Sequence, residues 1–492
     1  MAKFLFLGLF FAVMIIVGIY SRKKVTNVND FLLGGRNMGP WISAFSYGTT
    51  YFSAVIFIGY AGRIGWNFGI SATWIGIGNA ILGSLLAWLV LAKRTRKMTN
   101  DLNASTMPEF FEKRYDSKAM KITTASIIFI FLVPYTASVY QGLGYLFEKA
   151  FNIPFIYCMM GMAVLTGAYL MLGGYVATAL NNFIQGIIMI AGIVFMLYYI
   201  ITNPAVGGLR EGLSKLGSID QNLVKPFGGL PVDLLALVTL TSLGTWGLPQ
   251  MVHKFYAIKD EDAIKKGTVI STLFALLIAG GAYFVGAFGR LFFIYNNAQV
   301  PANPDMVMPL VLQWALPDAL YGLIIILVLS ASMSTLSSLV LVSSSAITID
   351  LIKGIWSPNI GKKREMLLMR VFCAVFVVLS FIVAVTPNAI LTLMSFSWGT
   401  ISGAFLAPFM YGLFWKGTTR AGAWAGILSG FLCSVGGAML LGMNAKLAPN
   451  IGAVAMIVSL IAVPVVSLLT SKQSENALGK ASVSVAETVK TR

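Results

Sequence analysis

Ser46-Tyr47-Gly48-Thr49-Thr50-Tyr51-Phe52-Ser53 sets a run of hydroxyls in the middle of an otherwise apolar span, 42–67. A straight apolar helix satisfies its own backbone and offers a ligand nothing polar. A helix interrupted at mid-membrane frees carbonyls and N–H groups for binding. A second such stretch, Gly244-Thr245-Trp246-Gly247-Leu248-Pro249-Gln250, lies in span 232–255. Its proline lacks an N–H and clashes with the preceding turn. Small residues also serve close helix packing, so one glycine decides little. Two interrupted spans in corresponding positions point to the binding region of a transporter.

Outward from these two, apolar stretches recur along nearly the whole chain. Thirteen are predicted, at 4–20, 42–67, 74–93, 121–149, 153–171, 176–200, 232–255, 267–295, 318–347, 368–387, 389–416, 421–441 and 448–470. Crossing a bilayer takes roughly 20 helical residues at ~1.5 Å each. The predicted fold class is therefore an all-α polytopic membrane protein. Of the 492 residues 57% are hydrophobic and 11% charged, too little charge to coat a soluble surface. The interrupted spans stand five apart, which predicts two five-helix repeats, 42–200 and 232–416. Residues 1–470 read as one transmembrane domain and 471–492 as a polar, disordered tail. The first span is followed by Ser21-Arg22-Lys23-Lys24, a stop-transfer flank and not a cleavage site.

The net charge of +17 is one-sided. With thirteen spans and the N-terminus outside, 27 of the 35 basic residues fall on the cytoplasmic side and 8 on the other. This predicts a multi-pass protein of the cell membrane with a cytoplasmic C-terminus. The basic excess then faces anionic headgroups, and no nucleic-acid partner is needed to explain it. The expected partners are the lipid bilayer and a small organic solute; no obligatory protein partner is inferred. Cys158, Cys373 and Cys433 sit in apolar runs without disulfide or metal spacing.

None of the eighteen Asp and Glu residues falls near a predicted midplane. Asp233 and Asp318 open spans, and Glu148 and Asp350 close them. The single histidine, His253, is placed near a cytoplasmic end, in a surface or headgroup role, and no Arg or Lys is placed at mid-membrane. A membrane enzyme needs a nucleophile–base or metal constellation, so no catalytic residue is assigned. Proton coupling ordinarily needs a titratable group inside the membrane.

Neutral oxygen is abundant instead, in Ser330-Ala331-Ser332-Met333-Ser334-Thr335-Leu336-Ser337-Ser338. Positions 331, 334, 335 and 338 share one helical face. With carbonyls from the broken span, this face can form an oxygen cage for a sodium ion, drawn inward by the membrane potential. Such hydroxyls also bond back to their own helix, and spacing alone leaves the two readings even.

These residues resemble the sodium:solute symporter family, which includes bacterial proline, pantothenate and acetate carriers and sodium–glucose cotransporters. The resemblance covers about 4–470. It is carried by Asp30-Phe31-Leu32-Leu33-Gly34-Gly35-Arg36, by Met107-Pro108-Glu109-Phe110-Phe111 with Arg114-Tyr115, and by Met333-Ser334-Thr335-Leu336-Ser337 with Ser343-Ser344-Ser345-Ala346-Ile347-Thr348-Ile349-Asp350-Leu351. It implies about thirteen transmembrane helices in a leucine-transporter-like 5+5 inverted repeat, and alternating access. It implies a co-transported sodium ion held by the carbonyls of Thr49, Phe52 and Ala331 and the hydroxyls of Ser334 and Thr335. Ser53, Tyr135 and Pro249 match pocket positions of the proline carriers. In those carriers two aromatic positions align with Thr241 and Thr245, and an acidic one with Tyr51, which weakens a proline reading. Gly247-Leu248-Pro249, Gly286-Ala287-Phe288-Gly289-Arg290 and Asn181-Asn182-Phe183-Ile184-Gln185-Gly186 look more like the pantothenate and monocarboxylate branch, although a usual Asp is Asn182 here.

The expected substrate set is Tyr51, Ser53, Tyr135, Thr245, Trp246, Pro249 and Gln250. The expected function is sodium-coupled symport of an organic acid such as pantothenate or a monocarboxylate. The alternative is a sodium/proline or other amino-acid symporter. The alternative from another class is a membrane solute sensor.

Overall fold

The computed structural model describes residues 2–22, 32–229, 231–386 and 389–490. Lys23, Lys24, Asp30 and Phe31 lie outside the described residues. Among the described residues ten helices are long and apolar enough to cross a membrane, and Leu7–Val17 and Phe155–Val164 are shorter apolar helices. The chain is thus an all-helical, multi-pass membrane protein. Predicted spans 42–67 and 74–93 meet in one helical run, Val55–Asp101. A tight turn at Gly69, in the left-handed region at φ 58°, joins its two parts. The loop predicted between 171 and 176 is not seen: Phe155–Thr202 is helical throughout. The Gly173-Gly174 pair reads as a turn signal, yet the helix continues through it. The last helix is Ala448–Lys490, so the backbone of the expected disordered tail continues as helix to Lys490.

Both predicted interruptions are present. α1 (Ala2–Arg22) precedes the first. α2 (Pro40–Tyr51) stops at Phe52, whose φ of −111° and ψ of 119° are extended. The chain re-enters helix through Val55–Tyr60 and then α3 (Ala61–Phe68). In the second, α4 (Pro231–Ser242) tightens through Leu243–Trp246 and breaks at Gly247 and Leu248. α5 (Pro249–Tyr256) then starts on its proline, at the one helical position where a missing N–H costs nothing.

The two broken helices run antiparallel. Met38 N–H, just before α2, donates to Ala257 O just after α5 (3.0 Å), and Lys259 N–H returns to Met38 O (3.1 Å). At the opposite end the close of α3 and the start of α4 line a common cavity.

Against this pair stands α6 (Asp318–Ser345), buried from Ile324 to Ser345. A helix apolar all round belongs in an interior. Its serines are compatible with that place because they bond back one turn: Ser332 to Val328 O (2.7 Å), Ser337 to Ser334 O (2.9 Å), Ser344 to Leu341 O (3.0 Å). α7 (Ile390–Phe414) packs on the other side of the breaks. Cys158 and Cys373 are buried, whereas Cys433 is half-buried, and all three are free.

The motifs quoted above meet at one end of the bundle. Thr106 caps the Met107–Tyr115 helix by accepting from Glu109 N (3.2 Å), and Glu109 Oε2 reaches back to accept from Ser105 N (2.7 Å), one residue before the cap. The Thr106 hydroxyl also donates to Asp350 Oδ1 (2.6 Å), tying the second motif to the third. Arg36 follows a left-handed Gly34-Gly35 turn and donates to Ala104 O (2.7 Å) and Tyr256 O (3.3 Å). Burial holds its guanidinium below the ordinary value.

At the other end, Asp305 is 1% exposed. One carboxylate oxygen accepts from Ile390 N at the start of α7 (3.1 Å), and the other is buried without a partner. Burial raises this carboxyl above its usual range, opposed by the bond from Ile390 and the charge of Arg63. A raised folded-state value means that the native state holds a proton the unfolded state has released. Stability therefore falls as pH rises from the ordinary carboxylate value toward the raised one. Asp305→Asn keeps the acceptor and drops the charge. Its melting temperature at pH 7 should equal or exceed that of the wild type, and should vary less between pH 4 and pH 7 in thermal scans.

Candidate cation and solute site

A helix end leaves its last four carbonyls without partners. At the end of α2, Gly48 O still accepts from Phe52 N (3.3 Å). Across the break Ile56 N–H goes to Ser53 O (3.1 Å) in place of Phe52 O. The carbonyls of Thr49, Thr50 and Phe52 are thereby left to other partners. α6 brings oxygen to them. The Thr335 hydroxyl lies 3.1 Å from Thr50 O, 3.1 Å from Ala331 O and 3.4 Å from Thr49 O. Ser334 Oγ donates to Thr49 Oγ1 (2.7 Å), which donates to Phe45 O (2.7 Å).

Thr49, Ala331, Ser334 and Thr335 are thus brought together, and Phe52 stands at the break itself. The set is neutral oxygen at the negative end of a helix dipole, which favours a cation. The other side of the break is also met by α6: Ser332 Oγ accepts from Ala54 N (2.9 Å). One helix face thus patches both ends of the interruption, and the hydroxyl spacing at 332 and 335 is what allows it.

Beside the break is a cavity of about 20 Å³, lined by Tyr51, Ser53, Tyr135, Tyr60, Asn79, Thr241, Tyr283, Met394 and Trp398 among others. That is room for about one water molecule. Tyr51 stacks on Phe52 (4.3 Å) and on Trp398 (6.2 Å), and Tyr135 meets Trp398 edge-on (5.6 Å). Asn79 Oδ1 accepts from Ser242 (2.9 Å) and Thr241 (3.0 Å). One turn away along three of these helices a wider cavity of about 270 Å³ opens between Arg63, Asp233 and Lys446. It shares α4 and α7 with the inner one through Leu237 and Leu391, and its Ile64 on α3 lies one turn beyond Tyr60 of the inner lining.

Three of the seven expected substrate residues, Tyr51, Ser53 and Tyr135, line the inner cavity. Thr245, Trp246, Pro249 and Gln250 do not. Thr245 donates to Ser242 O (2.9 Å) and Trp246 Nε1 to Leu82 O (2.9 Å), so both are taken up in packing against the Ile81–Ala92 turn. Pro249 opens α5, and Gln250 is buried behind it. Sequence reasoning missed Asn79, Tyr60, Tyr283 and Trp398. They come from four different elements and carry no local pattern.

Two further placements correct the sequence reading. His253 is buried, not at a headgroup. A lysine does stand inside the bundle: Lys254 is 2% exposed, and its Nζ donates to Ser338 Oγ on α6 (2.9 Å). The turn of α5 that Pro249 starts points these two residues inward, whereas counting along an apolar span had put them at its rim.

Sequence and structure comparisons bear on this arrangement. The sodium:solute symporter family matches residues 31–430. The osmoregulated proline transporter of Bacillus subtilis is 29% identical over 477 residues, 95% of each chain. The sodium/proline symporter of Staphylococcus aureus is 30% identical over 439 residues, 87% of this chain and 84% of that one. A solved structure of a sodium-coupled sialic acid symporter superimposes with a TM-score of 0.79 at 17% identity, over 95% of this chain and 98% of the other. A nucleobase-cation-symport-1 family transporter gives 0.56 at 13% identity, over 91% and 96%.

Proposed function

Since the chain belongs to the sodium:solute symporter family, we propose that it is a sodium-coupled symporter importing proline or a closely similar small amino acid. The observation that carries the coupling is the convergence of Thr335 Oγ1 on the orphan carbonyls of Thr49 and Thr50 and on Ala331 O. Sodium would be held by Thr49, Phe52, Ala331, Ser334 and Thr335. The ion is cargo, and these neutral oxygens would stand where a proton-driven carrier needs a titratable group.

For the solute, relatives named as proline transporters support the amino-acid reading over the organic-acid one. A physical reason agrees. The stretches that favoured organic acids do not line the inner cavity. Gly247 and Leu248 form a break against α7, and Gly286 packs on α3, where an added Cβ would lie 2.0 Å from Ala61 O. They report helix geometry, not cargo. The walls of the inner cavity are aromatic, suited to a compact apolar ring. Ser53, Val55 and Ile56 present the N-terminal end of a half-helix, suited to a carboxylate.

The site alternates between the two faces of the membrane. The inner cavity is small, about 20 Å³, and the wider cavity beside Arg63 lies one helical turn from it along α4 and α7. The bias of basic residues supports an orientation with the Lys254 side and the C-terminus in the cytoplasm and the N-terminus outside. Thermal stabilisation of the purified protein tests the reading, with proline, pantothenate, acetate, pyruvate and sugars, each in sodium and in potassium. A ligand at about 100 times its Kd adds ~2.7 kcal/mol to the native state. Proline should raise the melting temperature in sodium only. A response to pantothenate or pyruvate and none to proline returns the substrate to the organic acids. A proline response of equal size in potassium removes the coupling.

A further inference from the structure

Lys254 is a buried lysine that lies outside the proposed sodium ligands. Its ammonium donates to Ser338 Oγ (2.9 Å). Ser338 Oγ also lies 3.0 Å from Thr50 Oγ1 and 3.1 Å from Ser334 O. Thr50 and Ser334 belong to the candidate cation site as well, since Thr50 O takes the Thr335 hydroxyl and Ser334 Oγ bonds Thr49. The ammonium and the sodium oxygens are therefore two stations on one hydroxyl chain. They lie one turn of α6 apart, on the same face, with Thr50 and Ser334 common to both. Lys254, Ser338, Thr50 and Ser334 are each at most 2% exposed, so little water screens one cation from the other.

We propose that Lys254 is a tethered cation of the transport cycle, opposing sodium at the Thr49–Thr335 oxygens and so hastening the ion's release on the Lys254 side. The proposal rests on the sodium-site reading above. When sodium is bound, two positive charges share one dry hydroxyl chain, and the ion is held less tightly than its oxygens alone would hold it. When sodium has left, the ammonium keeps α2, α5 and α6 pinned through Ser338 and Thr50. The empty carrier can then reset without a second inorganic cation. Lys254 acts through these hydroxyls and touches neither ion nor solute, so it is a positioning residue.

The test is a sodium titration of the purified full-length protein in the absence of solute, read by thermal stabilisation, for the wild type, Lys254→Met, Lys254→Arg and Thr335→Ala. Lys254→Met should lower the half-saturating sodium concentration about tenfold, a conservative figure for two charges a turn apart in a poorly screened interior. Lys254→Arg keeps the charge and should stay near the wild type. Net uptake into proteoliposomes by Lys254→Met should slow, because release is slower. A damaged fold weakens sodium binding and cannot imitate the expected gain. If Lys254→Met leaves the midpoint unchanged or raises it while Thr335→Ala raises it, the tethered-cation role is wrong and the sodium site stands. If Thr335→Ala does not move the midpoint, the sodium site is misplaced and the role of Lys254 falls with it.

Discussion

Gly247→Leu should abolish sodium-driven uptake while leaving protein in the membrane. Gly247 sits at the break between α4 and α5, where the chain passes against α7. A Cβ added there would stand 2.8 Å from Leu406 N and 3.0 Å from Leu406 Cα. Both are backbone atoms, so no side chain can swing aside. Overpacking of an interior costs ~1–3 kcal/mol even where neighbours can adjust. Here the adjustment has to come from α7, which also supplies Met394 and Trp398 to the inner cavity. Ser402, on the same helix, donates to Gly244 O (2.7 Å) and would be displaced with it. The variant should be measured by uptake into proteoliposomes alongside its melting temperature. Uptake above about a tenth of wild type would mean that the break does not have to keep its shape. Gly247→Ala should fall between the two, since it adds one carbon at the same contact.

Thr335→Ala should raise the sodium concentration needed for half-maximal uptake by at least tenfold, with smaller change in the maximal rate at saturating sodium. Its hydroxyl is the atom on which three carbonyls converge, from Thr49, Thr50 and Ala331. Its loss removes an oxygen from the proposed ion site and leaves carbonyls of a helix end without this donor in the protein interior, at ~1–3 kcal/mol each when unsatisfied. Thr335→Ser keeps the oxygen and should recover most of the affinity. Equal damage from Ala and Ser would assign the effect to packing of the lost methyl. An unchanged sodium dependence in Thr335→Ala would remove the residue from the site.

The convergence of Thr49, Ala331, Ser334 and Thr335 was legible in the sequence and much of the inner cavity's lining was not, for a physical reason. Ser334 and Thr335 belong to one helix, and the 3.6-residue repeat fixes what shares their face. Thr49 and Phe52 belong to a single interruption marked by its own composition. Both are local signals. The cavity takes Asn79, Tyr60, Tyr283 and Trp398 from separate helices, and which of their faces turn inward is settled by tertiary packing. Thr245 and Trp246 read as site residues because they stand in a break. Yet a break turns some of its side chains away from the opening it makes, and these two bond Ser242, Leu82 and Gly83 carbonyls instead. Lys254 was hidden by the opposite error. A basic residue near the end of an apolar span reads as snorkelling to the interface, but α5 is a separate half-helix with its own direction, and it carries Lys254 inward.

The small size of the inner cavity has an electrical consequence. A space of about 20 Å³ holds no column of water. An ion entering it would have to shed its hydration shell onto aromatic walls, where a bare charge costs many kcal/mol. A cavity that stays this small gives a lone ion no wetted route through it.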